Sequence, residues 1–217
     1  MGGPRIGSGK PAAAHGSLAD RIDRSIALGI VRPGLPAYAL AFEAYERSQR
    51  TSGDFHQLEQ TVVEIAAEDY RRGVGRGVEL LEFGDGANRC LFDATLDRTV
   101  MMWGLSRQVA ENSRDDAYHR GYPRREGYEK GHALSHAQGG LEGGPNYFPQ
   151  RGAVNRSISD RGKLWRAIET YLAANAGLFA FVRLVYPGGG AGDVPAEMEY
   201  GLIDATGRFR VARFGNV

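Results

Sequence analysis

Glu129-Lys130-Gly131-His132, then Gly139-Gly140, then Asn146-Tyr147-Phe148-Pro149-Gln150, then Asn155-Arg156 and finally Trp165-Arg166-Ala167-Ile168-Glu169 form the stretch on which the reading of this chain turns. It gathers one imidazole, several amides, one carboxylate and several cations within a short span. Hydrolysis of a phosphodiester calls for such a set: a base to activate water, a divalent cation to neutralise developing charge, and cations to hold the phosphates. His132 suits the base, because an unperturbed imidazole pKa of roughly 6.5 leaves it largely neutral at physiological pH. Mg²⁺ prefers oxygen ligands and keeps several of its waters, so the amide oxygen of Asn155 can be a sufficient direct anchor. Glu169 falls four residues after Trp165 in a helix predicted over about Asp160 to Ala174, and that spacing places both on one face. Trp165 is expected to pack inward while Glu169 reaches toward the metal's water. Lys130, Arg151 and Arg156 are candidate phosphate contacts.

These residues resemble the DNA/RNA non-specific endonucleases with a ββα-metal (His-Me finger) site, in particular their bacterial toxin-like branch. The family pattern is Asp-Arg-Gly-His, then Asn-x-x-Pro-Gln-x-x-x-x-Asn, then a helix carrying Trp-x-x-x-Glu. Gly131-His132 matches the first element; Asn146, Pro149, Gln150 and Asn155 match the second with its internal spacing; Trp165 and Glu169 match the third. The resemblance covers roughly Tyr128 to Asn216. It implies His132 as general base, Asn155 as the direct protein ligand of Mg²⁺ or Mn²⁺, and Glu169 and Gln150 acting through metal-bound water, with Asn146 in support. Lys130 takes the family's arginine position, and Glu129 that of its aspartate, so the charges are kept while the two-pronged grip of arginine is lost. The gap from Asn155 to Trp165 is longer than in the pattern, as if by a loop inserted over Ser157 to Gly162. For the family's upstream phosphate-binding arginine, Arg98, Arg107, Arg124 and Arg125 are all candidates.

Outward from the motif, the chain alternates β-prone runs with Gly- and Asp-rich breaks. Val78 to Phe83, Arg89 to Ala94 and Thr99 to Leu105 precede it, and Phe179 to Tyr186, Glu197 to Ile203 and Arg208 to Phe214 follow it. A polar loop is expected from Asn112 to Tyr128. Upstream, Ser17 reads as an N-cap before Leu18, Ile22, Ile26 and Ile30; Tyr38 to Ser48 reads as a second helix; Asp54 caps a third, with Gly73 as its stop. Residues 1–16 read as a flexible tail, 17–73 as a helical region and 74–217 as the nuclease domain. The expected class is α+β: a ββα-metal core with a central antiparallel sheet, preceded by helices.

Composition narrows the function without naming it. The net charge of +1 over 217 residues gives no whole-protein attraction to a polyanion. From Arg120 to Glu169, however, nine Lys/Arg face five Asp/Glu, whereas Ser17 to Gly73 has seven against nine. Cys90 is the single cysteine, which excludes an intrachain disulfide and a Cys-based zinc site. His136 lies four residues after His132, but Gly139-Gly140 opposes a sustained helix there. A zinc pair is therefore not expected, and His136 reads as a substrate contact or surface residue. His119 beside Asp115 and Asp116 carries no clear chemistry.

No run is apolar enough to span a membrane, and Met1-Gly2-Gly3-Pro4 opens no secretory signal. The expectation is a cytoplasmic product, exported, if at all, as toxin cargo by a route needing no such signal. Nucleic acid, DNA and also RNA, is the expected partner, and an immunity or inhibitor protein would protect the producing cell. The rival reading is a catalytically inactive nucleic-acid- or partner-binding module of the same fold.

Overall fold

The computed structural model describes residues 16–49, 55–75, 77–85, 87–109, 125–188 and 192–216. Asp54, His119, Asp115, Asp116 and Arg124, together with most of the polar loop and the tail, lie outside the described residues. The architecture is α+β. Seven strands form one antiparallel sheet: β1 (Arg32–Pro33), β2 (Leu80–Gly84), β3 (Asn88–Asp93), β4 (Arg98–Leu105), β7 (Phe179–Val185), β8 (Glu197–Ile203) and β9 (Phe209–Gly215), in the order β1-β9-β8-β7-β4-β3-β2. A separate hairpin pairs β5 (Tyr128–His132) with β6 (Tyr147–Arg151). The helices are α1 (Leu18–Ala27), α2 (Pro36–Gln49), α3 (Phe55–Val74), the short α4 (Gly152–Asn155) and α5 (Asp160–Ala174).

The strands carry apolar residues on both faces, and the period of two sends alternate side chains into two cores. Ala180, Val182 and Leu184 of β7 point into one core, with Met198, Tyr200, Phe214, Phe148 of the hairpin, and Trp165, Ile168 and Leu172 of α5. Phe179 and Phe181 point into the other, with Met101, Trp103 and Phe209 and with Tyr38, Leu58, Val62 and Ala66 from α2 and α3. Each fully buried large side chain contributes about 1.5–3 kcal/mol, so a sheet covered on both faces is strongly favoured over one with a bare face.

The N-terminal helices are built into these same cores. Leu18 and Ile22 of α1 join the core on the α5 side, whereas α2 and α3 cover the opposite face. Ser17 caps α1 as its sequence suggests, in a reciprocal box with Asp20. Arg208 then binds both Asp20 (2.5 Å) and Asp23 (3.1 Å), fastening α1 to the final hairpin. Arg32–Pro33, between the first two helices, pairs with β9 at the sheet edge. The helix expected to stop at Gly73 runs on to Val74. Gly75, with φ of +98°, ends it, because that backbone state costs glycine little. Among the described residues, no helix is long and apolar enough to cross a membrane.

Candidate active site

The hairpin is where residues of weak strand preference become strands. Glu-Lys-Gly-His and Tyr-Phe-Pro-Gln-Arg carry charge, glycine and proline, yet five residue pairs align from Tyr128↔Arg151 to His132↔Tyr147. Burial of Phe148 and Val154 against α5 holds the pair in place. Gly131 is required by contact: a Cβ there would lie 2.5 Å from Oε1 and 2.6 Å from Cβ of Gln150 on the paired strand. Gln150 is itself fully buried, and neither of its amide atoms hydrogen-bonds to a described residue. An unsatisfied buried amide costs about 1–3 kcal/mol, which marks this spot as one suited to water or a hydrated ion.

The site residues fall into two groups. In the first, His132 ends β5 with its ring edge-on to Tyr147 at 4.8 Å. Its Nε2 lies 3.5 Å from Oε2 of Glu142, a carboxylate that also accepts from the Tyr147 hydroxyl and pairs with Nδ1 of His136 at 3.0 Å. Burial alone would raise the Glu142 carboxyl; the Tyr147 hydroxyl, then His132 and His136, outweigh it and hold the pKa below the ordinary value. Lys130 places its Nζ 4.2 Å over the Tyr147 ring. His136, read from the sequence as a substrate contact or a surface residue, is half-buried with its ring against Glu142.

In the second group, Asn155 ends α4 and donates from Nδ2 to Oε2 of Glu129 at 3.0 Å. Arg156 pairs with the other oxygen of Glu129. Burial works against ionisation of Glu129, but the Asn155 amide and the Arg156 guanidinium outweigh it and lower its pKa. Arg166 donates to the Asn155 carbonyl at 3.3 Å and pairs with Glu169 at 3.0 Å, so one guanidinium ties the two oxygen-bearing residues together. Trp165 packs into the core and donates from Nε1 to Glu169 at 2.9 Å. Glu169 is nearly enclosed, and burial raises its pKa despite Arg166 and Trp165.

The remaining candidates lie around these two groups. Asn146 is buried and clamps the loop that follows His132, accepting from the Leu134 N–H and donating to the carbonyls of Leu134 and Leu141. Arg151 lies 4.9 Å over the Tyr128 ring and reaches the Gly127 carbonyl. Arg98 is buried, 3.9 Å over the Tyr186 ring, and lines a cavity of about 330 Å³ shared with Tyr147 and Pro149 of the hairpin. Arg107 donates to the Gly139 carbonyl, and Arg125 pairs with Asp193. The span read as an inserted loop is shorter than it looks: Ser159 caps α5, and Asp160 to Gly162 form its first turn.

No protein-family model matches the chain, and no curated protein does either. Solved structures do resemble it. One, described as an "extracellular endonuclease", has 17% sequence identity and a TM-score of 0.40, covering 65% of this chain and 80% of that one. Another, an "extracellular nuclease", has 16% identity and a TM-score of 0.39, covering 65% and 85%.

Glu142 and Arg166 are the site residues that motif spacing missed. Glu142 sits in the glycine-rich loop Gly139 to Gly144, and its being the only acid between Glu129 and Asp160 is the signal that could have pointed to it. Arg166 lies inside the Trp-x-x-x-Glu element and is one residue from Trp165.

Proposed function

We propose that the chain is a metal-dependent endonuclease of the ββα-metal kind, hydrolysing phosphodiester bonds of DNA and also of RNA. The observation that carries the reading is the contact chain Glu129–Asn155–Arg166–Glu169. Glu129 takes the amide nitrogen of Asn155, and the planar amide then turns Oδ1 the other way, as an acceptor for a cation. Among the described residues, no three His, Cys, Asp or Glu side chains form a cage for a metal. A softer metal needing several protein ligands fits poorly, whereas Mg²⁺ or Mn²⁺, anchored by Asn155 and otherwise hydrated, fits this oxygen set and the unsatisfied Gln150 amide.

When bound, the cation would supply charge neutralisation at the phosphate and the leaving 3′-oxygen. The protein groups do the rest. His132 accepts the proton of the attacking water, the attack breaks the P–O3′ bond, and the product carries a 5′-phosphate. Glu169, its carboxylate fixed by Trp165 and Arg166, would hold a water of the cation's hydration shell. Lys130, Arg151 and Arg156 contact flanking phosphates, which position substrate without reading bases, so little sequence preference is expected. A toxin or defence role, with an immunity protein as partner, suits such an activity.

The test is incubation of purified protein with plasmid DNA and with RNA, in Mg²⁺ and in EDTA, beside His132→Ala and Asn155→Ala. Metal-dependent cutting, reduced at least a hundredfold in both variants, is the expected result. Binding of DNA without cutting in Mg²⁺ or Mn²⁺ would return the chain to the rival reading of a binding module.

A further inference from the structure

One carboxylate sits among the groups around His132 without a role in the reaction as described. Glu142 lies in the loop that Asn146 clamps and is largely enclosed; one of its oxygens accepts from the Tyr147 hydroxyl and lies 3.5 Å from Nε2 of His132, and Nδ1 of His136 is 3.0 Å from the other. A structural acid would need one such partner; three converging on it, two of them imidazoles, is an arrangement that organises protons. The loop is pinned at several further points. Gln138 accepts from the buried Tyr200 hydroxyl at 2.8 Å, and the Gly139 carbonyl accepts from Asn88 at 2.9 Å. The carboxylate is therefore presented to His132 by a rigid frame and not by a mobile side chain.

We infer that Glu142 is the positioning residue of the His132 base. It accepts the Nε2–H of neutral His132, which fixes the tautomer with the lone pair on Nδ1. As Nδ1 takes the proton of the attacking water, the ring becomes imidazolium and its Nε2–H···carboxylate contact tightens into a charge-assisted bond. Glu142 itself keeps its charge, as a carboxylate orienting a histidine base does. Among the described residues, the charged and titratable groups facing this pair include His136 on the other carboxylate oxygen, Tyr147 from β6, and Lys130 over the Tyr147 ring.

The assignment of a base to His132 rests on the nuclease reading, but the contact can be tested apart from activity. Long-range ¹H–¹⁵N spectra of the full chain report which ring nitrogen of each histidine carries the proton. Neutral His132 is expected as the Nε2–H form, and Glu142→Gln is expected to lower its titration midpoint by about one pH unit. In the cleavage assay, the rise of rate with pH moves to lower pH in Glu142→Gln, the maximal rate falls about ten- to a hundredfold, and Glu142→Asp recovers part of it. A wild-type His132 in the Nδ1–H form overturns the inference without any variant. So does a folded Glu142→Gln protein whose His132 titrates unchanged. Wild-type protein that cuts nothing, yet shows the Nε2–H form and the shifted midpoint, keeps the Glu142–His132 pairing and removes the nuclease reading instead.

Discussion

Trp165 donates its indole N–H to Glu169 at 2.9 Å, one helical turn further along α5. The ring that anchors the helix, wedged edge-on against Tyr200 and Phe214, thus also holds the acid turned toward Asn155 through Arg166. Core packing and site geometry meet in one side chain. Replacing Trp165 by Phe keeps most of the packing and deletes the donor, leaving Glu169 with Arg166 alone. Urea unfolding of Trp165→Phe is expected to show a loss of about 1–3 kcal/mol, and cleavage should drop more than tenfold. An unchanged rate with lowered stability would confine Trp165 to the core.

Gly131 belongs to the motif for a steric reason, and the same reason makes a prediction. A methyl there would overlap Gln150 across the strand pair, and buried Gln150 has little room to retreat. Gly131→Ala should destabilise by about 1–3 kcal/mol and displace the neighbouring His132. Circular dichroism melts and the plasmid assay read both effects, and a variant of wild-type stability would show that the hairpin gives way freely.

Glu199 is fully buried between two arginines, accepting from Arg183 at 2.6 Å and from Arg213 at 2.6 Å, while Arg183 also reaches Asp69 on α3. Glu199→Gln would leave the enclosed Arg183 facing a neutral amide. The expected cost is about 3–5 kcal/mol, measured as a lowered urea midpoint with an unchanged slope. A cost below 1 kcal/mol would mean that Asp69 alone neutralises Arg183.

The pairing of Asp20 with Arg208 has a pH signature. The Arg208 side chain, with Ser17, lowers the Asp20 carboxyl from 3.8 to about 2. A depressed carboxyl pKa gives stability that is complete above the unfolded value and lost as pH falls through the folded one. The advantage of wild type over Asp20→Asn in thermal melts should therefore hold at neutral pH, shrink below about pH 4 and disappear near about pH 2. A difference independent of pH would assign the effect to the helix cap and not to the charge.

Six of the seven sheet strands were legible as runs of β-prone residues, and in β7 alternate positions serve opposite cores, Phe179 and Phe181 against Ala180 and Val182; the short edge strand Arg32–Pro33 was not. Helix α5 was legible from the spacing of Trp165 and Glu169, and α1 from the Ser17 cap and the apolar residues at every fourth position, whereas the Ser159 cap was hidden in what read as a loop. The hairpin was not legible. Its residues have little intrinsic strand preference, and pairing is imposed by the burial of Phe148 and the vacancy at Gly131. Glu142 was hidden for a related reason, since nine residues separate it from His132 and their meeting depends on the Asn146 clamp.

What the sequence determined by itself is the set of chemical groups and their local order: an imidazole after glycine, an amide at a fixed distance from Pro-Gln, and a carboxylate one turn from a tryptophan. Local spacing is enough for that, because helix and strand periods are properties of the backbone. Tertiary structure decided which groups touch. It set Glu129 on Asn155, used Arg166 to join Asn155 to Glu169, folded His136 and Glu142 onto His132, and drew the N-terminal helices into both cores. The links that set the arrangement, from His132 to Glu142 at ten positions up to α1 on β9 at well over a hundred, lie beyond the reach of local periodicity. They form only when burial of the core repays the entropy of closing those loops, a balance that no local pattern encodes.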